Sequence, residues 1–256
     1  RDGSICNEIE AVMLWEKIAF EAWSTGDPGI VFLDAINQSN PTPQLGPIQA
    51  TNPCGEVPLL DYESCNLGSI NLVNLVKFKN RKPFIDWDDL AYKITLAVRF
   101  LDNIISINNY ILPEIEAITT RNRKIGLGVM GWAELLILLE IPYASDEAIL
   151  LAERLMKFIK EKANAASENL AKIRGAFREG EQRRNATLIS IAPTGTISVI
   201  ANTSYSIEPL YALAYKRVGI LGGTTQEVMN ATFVEKMRSL GSVSYTHLTL
   251  PTIYSV

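Results

Sequence analysis

An α/β fold follows from three observations in the sequence. Candidate strands alternate with candidate helices, the β-branched run 186–192 ends at Pro193, and the stretches 7–24 and 87–108 repeat apolar residues at helical spacing. A barrel or a doubly wound sheet is the simplest arrangement of such a series. The 256 residues suffice for one large domain or two small ones.

The elements read in order as follows. Residues 7–24 place Ile9, Val12, Met13, Ala19, Ala22 and Trp23 near one helix face, and Gly26-Asp27-Pro28-Gly29 ends that pattern. Ile30 to Leu33 reads as a short buried strand. Residues 36–50 form a polar, Pro-rich loop, and 66–73 are a second strand candidate. Asp86 is placed to cap a helix over 87–108, whose core stripe is Leu90, Ile94, Val98, Leu101 and Ile105. In 124–130, Gly126 and Gly128 predict a strand that another backbone approaches closely. A short helix ends near Pro142, and Ser145 caps a long one reaching about Arg174. The β-branched run 186–192 stops at Pro193.

Composition narrows the function classes. The chain is 47% hydrophobic and 20% charged with a net charge of −4, which is ordinary for a globular protein and poor for binding nucleic acid by bulk charge. No apolar run is long enough to span a membrane and no signal peptide is visible. Three cysteines do not make a secreted disulfide scaffold, so cytoplasmic thiols are expected. The chain starts at Arg1 and enters a helical pattern almost at once, which reads as an internal piece of a longer protein.

Chemistry concentrates in 51–65, Thr-Asn-Pro-Cys-Gly-Glu-Val-Pro-Leu-Leu-Asp-Tyr-Glu-Ser-Cys. Pro53 and Gly55 predict a tight turn with Cys54 at its tip. Residues two apart in a sharply turned segment point the same way, so Asn52, Cys54 and Glu56 are expected to face one small volume. Cys65 follows just before a strand. The bland alternative is a pair of buried, inert cysteines, and Cys6, on an apolar helix face, is assigned to it. Zinc lacks the four ligands it wants. Without a histidine in the credible part of the chain, Cys-His and Ser-His-Asp catalysis are removed. A thiol beside a carboxylate then suits redox or radical chemistry better.

A second stretch, 183–198, runs a strand into Pro193-Thr194-Gly195-Thr196-Ile197-Ser198. Backbone N–H groups at a helix start and three hydroxyls can hold phosphate oxygens. No lysine follows the glycine, so it is not a Walker A loop. Taken alone, it is as readily a strand end with a capped short helix.

Four motifs in order carry a specific resemblance: Asn-Pro-Cys-Gly-Glu at 52–56, Ser-Cys-Asn-Leu-Gly-Ser-Ile-Asn-Leu at 64–72, Ala-Pro-Thr-Gly-Thr-Ile-Ser at 192–198 and Ser-Ile-Glu-Pro-Leu at 206–210. Up to about Leu240 the chain resembles the catalytic large chain of ribonucleotide reductase, most like the adenosylcobalamin-dependent class. The resemblance implies part of a ten-stranded α/β barrel with a central finger loop carrying the radical cysteine. It implies that Cys54 forms a thiyl radical, Glu56 is the base at the 3′-hydroxyl and Asn52 holds the sugar hydroxyls. Cys65 becomes one of two reducing thiols, its partner lying upstream, and Pro193 to Ser198 binds substrate phosphates.

The same resemblance implies reduction of ribonucleotides, diphosphates first, to deoxyribonucleotides for DNA synthesis, with a thioredoxin-like reductant and a full-length homodimer. Alternatives are a metal-radical reductase of the same family and a non-catalytic nucleotide-binding relative. Thr203-Ser204-Tyr205-Ser206 departs from the commoner Thr-Ser-Ser-Gly, which puts that loop's shape in question. A partial barrel domain is thus expected over 1–241. The tail 242–256, holding His247, resembles a translated sequencing adapter and is read as non-native or disordered.

Overall fold

A computed structural model describes residues 8–178, 182–220 and 224–239, so Cys6 and the tail 242–256 lie outside the described residues. The chain divides into two compact units, Arg1–Asn40 and Pro41–Val256. In the first, helix α1 (Ala11–Thr25) ends at Gly26, whose φ of +87° and N–H bond to Ala22 O close it as a left-handed cap. Its apolar residues Val12, Met13 and Trp23 are exposed.

The short buried strand expected at 30–33 is not there. Ile30, Val31 and Phe32 are exposed and unpaired, and Leu33 begins helix α2 (Leu33–Gln38). A four-residue apolar run carries no period of its own. Asp34 in the first turn complements the positive helix start and favours the helix. That helix, and a 3-10 turn at Pro43–Leu45, also occupy part of the expected loop over 36–50.

In the second unit, strands β1 (Ala50–Thr51) and β2 (Pro58–Leu59) pair antiparallel and flank the Cys54 loop. Strand β3 (Asn66–Asn71) runs into a 3-10 turn, and strands β4 (Val76–Lys79) and β5 (Lys82–Ile85) form a hairpin. The turn residues Asn80 and Arg81 both have positive φ, the twist that suits a two-residue hairpin. Helix α3 (Trp87–Ile107) starts where Asp86 Oδ1 accepts the Asp89 N–H at 3.0 Å. All five predicted stripe residues of α3 are buried, each worth about 1.5–3 kcal/mol of apolar transfer.

Helix α4 (Pro113–Asn122) follows, and then strand β6 (Ile125–Met130), which pairs parallel to β3 with Asn66 opposite Ile125. Helices α5 (Trp132–Leu139) and α6 (Asp146–Arg174) come next, α6 capped by Ser145 as expected. The α6 residues Leu155, Ile159 and Ala163 join the α3 stripe in one core. Helix α7 (Gly195–Ile200), the hairpin of β7 (Ala214–Ile220) and β8 (Thr224–Met229), and helix α8 (Ala231–Ser239) complete the described chain.

The run 186–192 contributes a single parallel bridge, Ile189 to Leu127, rather than a full strand. Leu127 N–H donates to Leu188 O at 2.7 Å, and Ser190 N–H returns to Leu127 O at 3.2 Å. Three parallel segments therefore lie side by side with α3 outside them, the layering of an α/β barrel wall.

That wall has two faces. Asn66, whose amide donates to Leu101 O, and Ile70, Ile125, Leu127 and Val129 look toward α3. Alternation sends Cys65, Leu67 and Ser69, with Lys124, Gly126 and Gly128, to the other face. A Cβ on Gly128 would lie 2.3 Å from Ser190 O, and one on Gly126 2.7 Å from Ser190 Cβ. The glycines admit the third segment, as expected.

An ion cluster fastens the rim. Asp102, with no exposed surface, takes Arg123 Nε at 2.7 Å, Arg174 at 3.1 Å and Arg184 at 3.4 Å. Burial pushes this carboxyl up, but the Arg123 bond and charge and the Arg184 charge outweigh it and hold it below the usual range. Among the described residues no helix is long and apolar enough to cross a membrane.

Candidate active site

The Cys54 loop is shaped by one asparagine. Asn52 N–H donates to Val57 O at 3.1 Å, Val57 N–H donates to Asn52 Oδ1 at 2.9 Å, and Gly55 N–H donates to Asn52 O at 3.0 Å. Gly55 holds φ at +87°, a conformation other residues resist. The result is the predicted tight turn, with the free thiol of Cys54 exposed at its tip. Closing the loop engages Asn52 Oδ1, so Asn52 has a structural task beside the role expected of it.

Glu56 carries the sharpest signal. Its backbone carbonyl accepts the Ser190 hydroxyl at 3.2 Å, which moors the loop to the inner face of the barrel wall. Its Oε2 is shielded from solvent and has no hydrogen-bond partner. A buried carboxylate oxygen without a donor is costly in a folded protein unless a ligand, water or proton completes it.

Cys65 is free and half-buried at the foot of β3. Burial pushes its thiol up to about 12; Lys124 pulls it down, while Glu63 and Glu56 push it further up. It rests as a protonated thiol at neutral pH. Glu56, two residues from Cys54 in the chain, thus lies close enough to act on Cys65.

Glu63 and Lys124 were missed in the sequence. Their buried pair closes at 2.6 Å, with Leu60 N–H and Asn122 Nδ2 also donating to the Glu63 carboxylate. A lysine directly ahead of a wholly apolar strand was the available signal. Ser190 and Ser69 had none, because only the register puts them on the inner face. Ser69 Oγ is a second buried polar atom there without a partner.

The second stretch is built as a turn into a short helix. Thr194 sits in the left-handed region at φ +58°, and its Oγ1 accepts the Ser206 N–H at 2.7 Å. Gly195 and Thr196 are exposed at the helix start, so their N–H groups and the Thr196 hydroxyl can reach a ligand. Ser198 is fully buried: its N–H bonds Thr194 O and its hydroxyl bonds Gly195 O. Pro193 has no N–H to offer and Ile197 contributes its backbone alone.

The loop with the unusual Tyr205 and Ser206 is held regardless. Buried Glu134 accepts from Thr203 Oγ1 at 2.6 Å, Ser204 N–H at 2.8 Å and Asn230 Nδ2 at 2.7 Å.

The family described as "Ribonucleotide reductase, barrel domain" matches residues 2–184 and 179–249. A "Vitamin B12-dependent ribonucleoside-diphosphate reductase" of Thermoplasma acidophilum is 47% identical over 253 residues, 95% of this chain and 32% of that protein. One of the same name from Mycobacterium tuberculosis is 50% identical over 250 residues, 94% of this chain and 35% of that protein. The solved "Actinobacillus ureae class Id ribonucleotide reductase alpha subunit" superposes with a TM-score of 0.74 at 27% identity, over 92% of this chain and 44% of that one. The chain spans about a third of the length of the curated relatives it matches.

Proposed function

The chain belongs to the ribonucleotide reductase barrel-domain family, and on that premise we propose that it is the catalytic portion of an enzyme that reduces ribonucleotides to 2′-deoxyribonucleotides by thiyl-radical chemistry. The observation that carries this reading is the buried Glu56 Oε2 without a donor, two residues along the same tight turn from the exposed Cys54 thiol. A sugar hydroxyl is the donor that this oxygen lacks. The name these relatives carry supports a ribonucleoside diphosphate as substrate and adenosylcobalamin as cofactor. When bound, that cofactor supplies a carbon-centred radical, and a thiol at an exposed loop tip is open to such a source.

The chain's own residues divide the work. Cys54 exchanges a hydrogen atom with the 3′ carbon of the ribose and recovers it at the end of the cycle. Glu56 takes the 3′-hydroxyl proton, general-base work for a carboxylate within hydrogen-bond reach. Asn52 keeps the loop closed and presents its amide NH2 to the sugar. The 2′ hydroxyl leaves as water with a proton from the thiol pair, and Cys65, resting protonated, suits that duty. Two electrons come from Cys65 and a cysteine of the upstream chain, which end as a disulfide. The Gly195 and Thr196 N–H groups hold the substrate phosphates. An external dithiol of thioredoxin type restores the thiols, and the complete protein works as a homodimer.

Cys54→Ser in the full-length protein tests the reading. Deoxyribonucleotide formation should vanish while nucleotide binding stays near normal; turnover by that variant would sink it. A metal-radical reductase is separated by activity with adenosylcobalamin and no second subunit.

A further inference from the structure

Lys124 is a buried cation that the radical steps leave without a task. It directly precedes β6 as Cys65 directly precedes β3, and the parallel register sets Asn66 beside Ile125. Cys65 and Lys124 are therefore lateral neighbours on the inner face, away from α3. Lys124 is 1% exposed, and its Nζ is held by Glu63 Oε2 at 2.6 Å and Pro58 O at 3.2 Å. Glu63 is itself anchored by Leu60 N–H at 2.9 Å and Asn122 Nδ2 at 2.7 Å. Neither charge can swing out to solvent.

Stability alone is a weak reason for such a pair. Two charges taken from water recover their desolvation only with good geometry, and well-packed apolar residues often serve as well. A fixed ammonium next to a thiol does something that apolar residues cannot. It offsets negative charge at the sulfur.

We propose that Lys124, clamped by Glu63, is the positioning cation of Cys65, stabilising the thiolate formed whenever the Cys65 disulfide is opened. The inference rests on the reading of Cys65 as a redox thiol. In that step one thiolate of a reducing dithiol attacks the sulfur of the upstream partner cysteine. A new S–S bond forms there, the old one breaks, and its electron pair goes to Cys65 Sγ. The second thiol of the reductant then releases the partner cysteine and leaves the reductant as the disulfide. Each protein sulfur finally takes a proton from water. A thiol pushed up to about 12 by burial is a slow leaving group, and the Lys124 charge is what counters Glu63 and Glu56 there.

The test reads the thiol and not the turnover. In the reduced full-length protein, iodoacetamide alkylation of the Cys65 peptide is followed by mass spectrometry across the alkaline pH range. Lys124→Met should move the midpoint up and slow labelling about tenfold for each pKa unit. Glu63→Gln should move it down and speed labelling by a similar factor. Opposite signs distinguish charge from damage, since a loosened fold exposes the thiol and speeds both variants. Equal directions, or an unmoved midpoint in Glu63→Gln, would overturn the proposal. If Lys124→Met does not fold, Lys124→Gln, which keeps a donor for Glu63, is read in its place and should likewise move the midpoint up. Cys65→Ser assayed for turnover reports separately on the redox reading: normal turnover refutes that reading and leaves the alkylation result standing.

Discussion

Cys54 and Cys65 stand eleven positions apart on different kinds of scaffold. Cys54 rides on a loop closed by three hydrogen bonds to one asparagine, between strands of two residues each, and its thiol is open. Cys65 leads into a six-residue parallel strand backed by α3, with its thiol half-buried beside a buried ion pair. The contrast suits two thiols with different fates. A hydrogen-atom carrier has to reach a radical source and a substrate, and a thin loop tip gives reach. A thiol that alternates with a disulfide needs a fixed partner distance and a governed charge, and a strand against a helix supplies both. Two Cα atoms must lie within about 7 Å to bridge.

Three perturbations test that division, beyond the loss of turnover expected for Cys54→Ser. The largest effect is expected of Glu56→Gln, which keeps shape and removes basicity. Turnover should fall by about 10²–10⁴-fold with thermal stability unchanged, measured as kcat in single-substrate assays. Unchanged turnover would make this carboxylate a part of the scaffold.

Gly128→Ala attacks the sheet side. Its Cβ would meet the Ser190 carbonyl at 2.3 Å, and a backbone atom cannot rotate away. A loss of about 1–3 kcal/mol is expected from overpacking, read by denaturant unfolding of the full-length protein. A smaller stability loss than that of Gly128→Ala is expected of Asn52→Ala, which removes the bond from Val57 N–H, worth about 0.5–1.5 kcal/mol. Turnover should suffer more than stability, because the loop positions chemistry and not the core. If Asn52→Ala destabilised the protein as much as Gly128→Ala, loop and sheet would be one structural unit and the contrast would fail.

The helices were the most legible part of the fold. Asp86 and Ser145 cap where expected, and every residue of the 90–105 stripe is buried. Periodicity and caps are local, so the chain announces them. The strands were less legible. Residues 30–33 had the apolarity of a strand and no partner, whereas 186–192 had a partner for one bridge only. The hairpins β4–β5 and β7–β8 and helices α4 and α8 were passed over, because their short runs carry mixed signals.

Within the site, the sequence by itself determined the thiols, the Glu56 carboxylate, the Pro-Cys-Gly turn and the family. These lie close in the chain, and turn chemistry acts over a few residues. Only tertiary structure decided that Ser190 moors the Glu56 backbone, that Ser198 is turned inward, and that Lys124 stands beside Cys65. The first depends on the two glycines that admit a third segment, and the last on the β3–β6 register. A register joins residues about sixty positions apart, and a one-residue slip would reverse every side chain to the other face. That choice is made by the packing of the whole wall against α3, which no short stretch of sequence contains.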